Sequence, residues 1–316
     1  MDGYTSAGAP LSERGCKKTI PCRPARALLA DLEVIAAAPP EMTGWGYGDL
    51  AAKVPAGGDW LIVDALGIEA IDDVAWPMVQ DGLAGGLSHP DRIAAGDPQA
   101  LEGLFQGLTL AGLAMEAHGP SRPPSGADHP IAHLWEMDDL HHRSERVSHG
   151  ACVSVGTMAV LRMYDWLLGQ DLSTLDAVRL VAAAPSLAQK EAEIPDRFGA
   201  GKIADRAMAE TRAKHVGGPS LQVRLESLRV VWPDLSARLR NRLWTADRMA
   251  SNPARAGAPV EGADIGIDDA YLLGSLLKAR FLRSRYMLLD LLDECGLLDQ
   301  AVQAALCKGR AKRVGT

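Results

Sequence analysis

Apolar residues recur at helical spacing along most of this chain. The clearest run follows Asp97, where Leu101, Leu104, Phe105, Leu108, Gly112 and Met115 share one helix face. Gly119-Pro120 ends it. A second helix is expected from near Ser148 to Gly169, and others over about 172–182, 220–229, 234–240 and 268–295. The last places Leu272, Leu276, Phe281, Leu288 and Leu292 on one side and stops at Gly296. Trp60, Leu61, Val63 and Ala65 predict a helix that starts beyond Pro55 and precedes Gly67. Ser125 opens Ser-Gly-Ala-Asp, a start like a capping box. Ala25–Asp31 fits a buried strand or a helix start equally, and Pro39-Pro40 stops whatever precedes. Asn252–Gly266 reads as a loop. After residue 32 no succession of strands fits a parallel sheet.

Composition narrows the class. The 316 residues are 47% hydrophobic and 23% charged, enough for one large or two smaller globular domains. A net charge of −7 argues against a nucleic-acid surface, and the one basic cluster, Lys308–Arg313, reads as a solvated tail. The five cysteines, Cys16, Cys22, Cys152, Cys295 and Cys307, are widely spaced without a C-x-x-C pair, which favours a reducing cytoplasm over a disulfide framework. No membrane span and no signal peptide are expected.

Three places offer chemistry. His129 and His133 stand four apart. That spacing serves two metal ligands, one ligand and one substrate-facing group, or two plain surface histidines. His149, after Ser148, sits at the mouth of a long apolar helix, where the positive end favours the neutral imidazole that binds metal; a simple capping residue is the alternative. Asp49 closes Gly46-Tyr-Gly-Asp, a setting typical of an N-cap. Taken together, Asp, His and His form a three-ligand set with an open position, as in catalytic metal sites. Gly199-Ala-Gly201-Lys-Ile-Ala204 only superficially matches a dinucleotide loop, because no good strand precedes it. His141-His142 lies among charged residues and reads as a solvated turn.

Met1-Asp-Gly-Tyr-Thr-Ser6, Gly46-Tyr-Gly-Asp49-Leu-Ala-Ala-Lys53, Ser121-Arg-Pro-Pro-Ser-Gly-Ala-Asp-His129-Pro-Ile-Ala-His133, Ser148-His149-Gly and Arg283-Ser-Arg-Tyr286 occur in one order. In that order they resemble the glycerol-1-phosphate dehydrogenases, within the metal-dependent polyol dehydrogenase and dehydroquinate synthase-like superfamily. The resemblance implies a mainly α fold: a helical metal- and substrate-binding domain over 39–316, with 1–38 as a remnant of an α/β dinucleotide-binding domain whose glycine-rich loop is absent. It implies metal ligation by Asp49, His129 and His149, for Zn2+ or in some members Ni2+. Asp2, Asp49 and His133 match substrate-contacting and catalytic positions, and Ser6 a position at the NAD or NADP cofactor. Arg122 is assigned a phosphate contact from its charge and position. The implied reaction interconverts dihydroxyacetone phosphate and sn-glycerol 1-phosphate. The expected partner is thus a small phosphorylated three-carbon substrate, without nucleic acid or membrane and with room for a homo-oligomer. Rival readings are a glycerol or other polyol dehydrogenase, a non-catalytic metal-binding remnant, and an unrelated helical interaction protein.

Overall fold

The computed structural model describes residues 2–13, 16–119 and 121–306, with side chains for all of these except 2, 10, 12, 13 and 16–19. The basic tail therefore lies outside the described residues, as does the Asp2 side chain. After a short helix α1 (Asp2–Thr5), strands β1 (Gly8–Glu13) and β2 (Cys16–Pro21) form an antiparallel hairpin with Gly8 opposite Pro21. Helices follow: α2 (Leu32–Ala36), α3 (Pro40–Ala51), α4 (Lys53–Ala65), α5 (Ala75–Gln80), α6 (Leu83–Gly86), α7 (Pro90–Ala94), α8 (Pro98–His118) and α9 (Asp128–Met137). A two-residue ribbon, β3 (His141–His142) and β4 (Glu145–Arg146), precedes α10 (His149–Leu168). Then come α11 (Ala177–Ala183), α12 (Leu187–Phe198), α13 (Lys202–Lys214), α14 (Gly218–Arg242), α15 (Ala246–Arg255), α16 (Asp269–Ala279), α17 (Leu288–Glu294) and α18 (Leu298–Leu306). The fold of the described residues is mainly α, as expected, and their strands pair only in these two antiparallel ribbons.

The expected helices α8 and α10 form with the anticipated ends. Asp97 accepts from the Ala100 amide and Gly119 follows the last turn of α8, while Ser148 accepts from the Ala151 amide at the start of α10. By length and composition α10 is apolar enough to cross a bilayer, contrary to the expectation that no run is; 83% of that apolar stretch is buried inside this fold.

Other expectations are corrected. Ala25–Asp31 is neither strand nor helix: Leu29 is exposed, and Asp31 caps α2 by accepting from the Glu33 and Val34 amides. Ser125 is not a cap, since α9 starts at Asp128 behind Ala127. The two helices expected at 220–229 and 234–240 are one, α14. Its stripe of Leu221, Leu225, Leu228, Trp232, Leu235 and Leu239 is buried on both sides of Pro233, and that burial outweighs the ~3 kcal/mol a helix-interior proline costs. The expected loop 252–266 is helical up to Arg255. Residues 268–295, read as one helix, break between Leu282 and Leu288. Backbone groups freed at that break find buried side chains. The Leu288 amide donates to Asp59 at 3.0 Å, and the Tyr286 carbonyl accepts from Arg122 at 2.9 Å.

The main core gathers Trp60, Trp135, Val153, Val160, Leu288, Leu289, Leu291 and Leu292 among α4, α9, α10 and α17. Helices α3 and α10 cross at very close range. A Cβ on Gly48 would stand 2.4 Å from the Ser154 Cβ, and one on Gly150 would stand 2.4 Å from the Trp45 carbonyl oxygen. The second obstacle is backbone, so it cannot swing aside. Gly150→Ala is therefore expected to force the helices apart and cost about 1–3 kcal/mol, read by urea denaturation followed by circular dichroism. A variant as stable as the parent would contradict this account of the crossing.

Candidate metal centre

The α3–α10 crossing determines what the site can be. Asp49 lies in the last turn of α3, not at an N-cap, and His149 is the first residue of α10. Helix α9 packs on α10 and contributes His129 and His133, one turn apart. One ligand atom from each of Asp49, His129 and His149 lies within 4.8 Å of the other two. The structure thus brings together three residues that are distant in sequence.

The surroundings orient each group. Lys53, fully buried, holds Asp49 Oδ2 at 3.1 Å. The other oxygen, Oδ1, is buried without a hydrogen-bond partner and lies 3.8 Å from His129 Nε2. His129 Nδ1 meets Asp128 Oδ2 at 2.5 Å, so Nε2 is the ring nitrogen turned toward Asp49. His149 Nδ1 stands 3.1 Å from Glu136 Oε1, an ion-pair distance whose direction does not complete a hydrogen bond. A carboxylate on the far nitrogen of a metal-binding histidine is the usual outer support of such sites. Burial pushes the Asp128 carboxyl up to about 7. An orphaned carboxylate oxygen facing two imidazoles fits a divalent cation, and the mixed N/O set fits zinc chemistry.

His133 stands beside this trio. Its ring stacks on His149 at 5.6 Å and meets His129 edge-on at 6.0 Å. Its Nδ1 accepts from Arg283 Nη2 at 3.1 Å, because a guanidinium can only donate, while Nε2 is 4.0 Å from Glu136 Oε2. His133, Glu136 and His149 form a second group close enough to share an ion, less buried than the first.

The remaining sequence candidates lie elsewhere or are committed. Arg122 is 1% exposed and bonded to Glu69 Oε2 at 2.6 and 2.9 Å and to the Tyr286 carbonyl, an internal ion pair and not an open contact for a phosphate. Ser6 is buried after α1, its hydroxyl donating to the Gly3 and Gly8 carbonyls. Gly199 ends α12 and Gly201 precedes α13, so that segment joins two helices. His141 is half exposed on β3. Three residues escaped the sequence reading: Asp128, Glu136 and Arg283. Asp128 adjoins His129, and Glu136 follows His133 by three on the same helix face, so both were within reach of helical periodicity. Arg283 carried no such signal.

No family model matches the chain. It is 29% identical over 300 residues to a glycerol-1-phosphate dehydrogenase [NAD(P)+] of Geobacillus thermodenitrificans, a match covering 95% of this chain and 65% of the relative. The chain is a sequence relative of the glycerol-1-phosphate dehydrogenases. The enzyme of that name from Bacillus subtilis is 38% identical over 161 residues, covering 51% of this chain and 40% of its own length. The one from Pyrococcus furiosus is 29% identical over 167 residues, covering 52% and 47%. The chain therefore spans only part of the length of each. A solved archaeal alcohol dehydrogenase from a Red Sea brine pool overlaps 95% of this chain and 61% of its own at 13% identity, with a TM-score of 0.43, too low to fix the fold.

Proposed function

We propose that this chain carries the metal- and substrate-binding part of a glycerol-1-phosphate dehydrogenase reaction, with Asp49, His129 and His149 holding Zn2+ in a dehydroquinate synthase-like helical domain from residue 39 onward. The carrying observation is the buried, unpartnered Asp49 Oδ1 facing His129. The relatives are named for glycerol 1-phosphate and NAD(P)+. When bound, the cation supplies Lewis acidity to the C2 oxygen of the substrate.

The chain's own groups do the rest. Lys53 and Asp128 orient Asp49 and His129. His133 Nδ1 accepts from Arg283, so the neutral ring carries its proton on Nε2, on the side of Glu136. From there the His133 Nε2–H donates a hydrogen bond to a substrate oxygen and holds it beside Glu136. Asp2 and Ser6 belong to the same proposal as substrate and cofactor contacts. The described residues hold no strand–glycine loop–helix unit to cradle a dinucleotide, so apart from Ser6 the proposal for these residues stops at metal and substrate.

The test is to load the purified chain with zinc, count bound metal by mass spectrometry, and titrate dihydroxyacetone phosphate by calorimetry. One zinc per chain and zinc-dependent binding of the ketone are expected. Substrate binding that is indifferent to zinc, or a chain that takes up none, would remove the reading.

A further inference from the structure

Several buried or part-buried arginines in this fold meet an acid: Arg122 with Glu69, Arg224 with Glu294, Arg280 with Asp293. Arg283 and Arg285 depart from this. Both lie in the break between Leu282 and Leu288, both are partly buried, and among the described residues neither has a carboxylate within ion-pair distance. Arg283 donates to His133 Nδ1. Arg285 donates to the Ser125 carbonyl at 2.8 Å, to Ser125 Oγ at 3.1 Å and to Ser121 Oγ at 3.4 Å, while its Nε is buried with no partner. Burial, aided by Arg283 and Arg122, brings the Arg285 guanidinium down to about 9. Glu210 acts on Arg283, and Glu69 and Asp59 on Arg285, only from beyond ion-pair distance, so burying the two cations is costly and a doubly charged ligand relieves the cost for both.

We propose that Arg283 and Arg285, with the Ser121 and Ser125 hydroxyls, form the anion seat for the phosphate end of a small phosphomonoester whose other end reaches His133. This rests on the metal-site reading above for the position of the reacting end, but not for the anion seat itself. Guanidinium forks and hydroxyl donors suit a tetrahedral phosphate, which takes several charge-assisted hydrogen bonds at once. The break between Leu282 and Leu288 lets Arg283 reach His133 on α9 and Arg285 reach Ser121 and Ser125 in the segment before it.

The experiment separates the seat from the metal. Inorganic phosphate is titrated calorimetrically into the full chain, first stripped of metal with a chelator and then loaded with zinc. One phosphate should bind in both states. Arg283→Gln and Arg285→Gln should each weaken it at least ~10-fold, with far-UV circular dichroism and zinc stoichiometry kept. His129→Ala should keep phosphate binding while losing zinc. Glycerol 1-phosphate should bind and glycerol should not. Phosphate that binds only with zinc present, equal affinity in both arginine variants, or ADP binding in place of glycerol 1-phosphate would overturn the proposal. A chain that binds phosphate through these arginines but takes up no zinc would leave the seat standing and remove the metal reading alone.

Discussion

His129→Ala is expected to abolish stoichiometric zinc binding. His129 is the middle of a relay: Asp128 grips Nδ1 at 2.5 Å, and Nε2 faces the orphaned Asp49 oxygen. Losing an outer partner of such a site typically costs about 10–100-fold in metal affinity, and losing a ligand from a set of three should cost more. Asp49→Ala and His149→Ala should behave alike. Bound metal, counted after dialysis against a competing chelator, decides it; one equivalent retained in all three variants would sink the ligand set. A thermal scan gives an independent reading. A ligand at 1,000 times its dissociation constant stabilises the folded state by about 4 kcal/mol, so zinc should raise the melting temperature of the parent chain and leave His129→Ala unmoved.

Asp59→Ala is expected to leave the chain largely unfolded. Asp59 is fully buried, and its carboxylate accepts from three donors: the Tyr164 hydroxyl at 2.6 Å, the Ala127 amide at 2.7 Å and the Leu288 amide at 3.0 Å. Those donors belong to α10, to the residue before α9 and to the start of α17, so one side chain on α4 ties together elements around the metal centre. Alanine would strand all three. At about 1–3 kcal/mol for each buried group left unsatisfied, the sum rivals the whole stability of a typical domain, about 5–15 kcal/mol. Urea denaturation should show a transition shifted to very low urea or already passed. Asp59→Asn keeps an acceptor oxygen and should fall between the two. An alanine variant within about 1 kcal/mol of the parent would refute the hub.

The same residue explains what the sequence could and could not reveal. Helices α8 and α10 were legible because their stripes, caps and stop signals are local. The break at 283–287 was not, because the groups that satisfy its backbone, Asp59 and Arg122, come from far away in the chain. Ala25–Asp31 misled because an apolar run becomes a strand or helix only with a surface to cover, and Leu29 has none. At the site, Asp49 looked like a cap because glycines precede it, whereas those glycines serve a helix crossing. The trio could be grouped by ligand chemistry but was singled out by resemblance, since nothing local states that α3, α9 and α10 meet. Arg283 and Arg285 stood in a quoted motif without a role, because an unpaired charge can be recognised only once its neighbours are known.

The glycine contact between α3 and α10 also acts as a ruler. Asp49 and His149 ride on two helices whose separation is set by Gly48 against the Ser154 side chain and Gly150 against the Trp45 backbone. The gap between a carboxylate oxygen and an imidazole is thus graduated by the crossing itself. Zinc, bound by few N and O ligands at about 2.0–2.2 Å, suits such a fixed gauge. Calcium, which gathers six to eight oxygens at about 2.3–2.6 Å in a yielding shell, does not. For a cation held by this trio as proposed, selection by size would follow from how closely the two helices can lie.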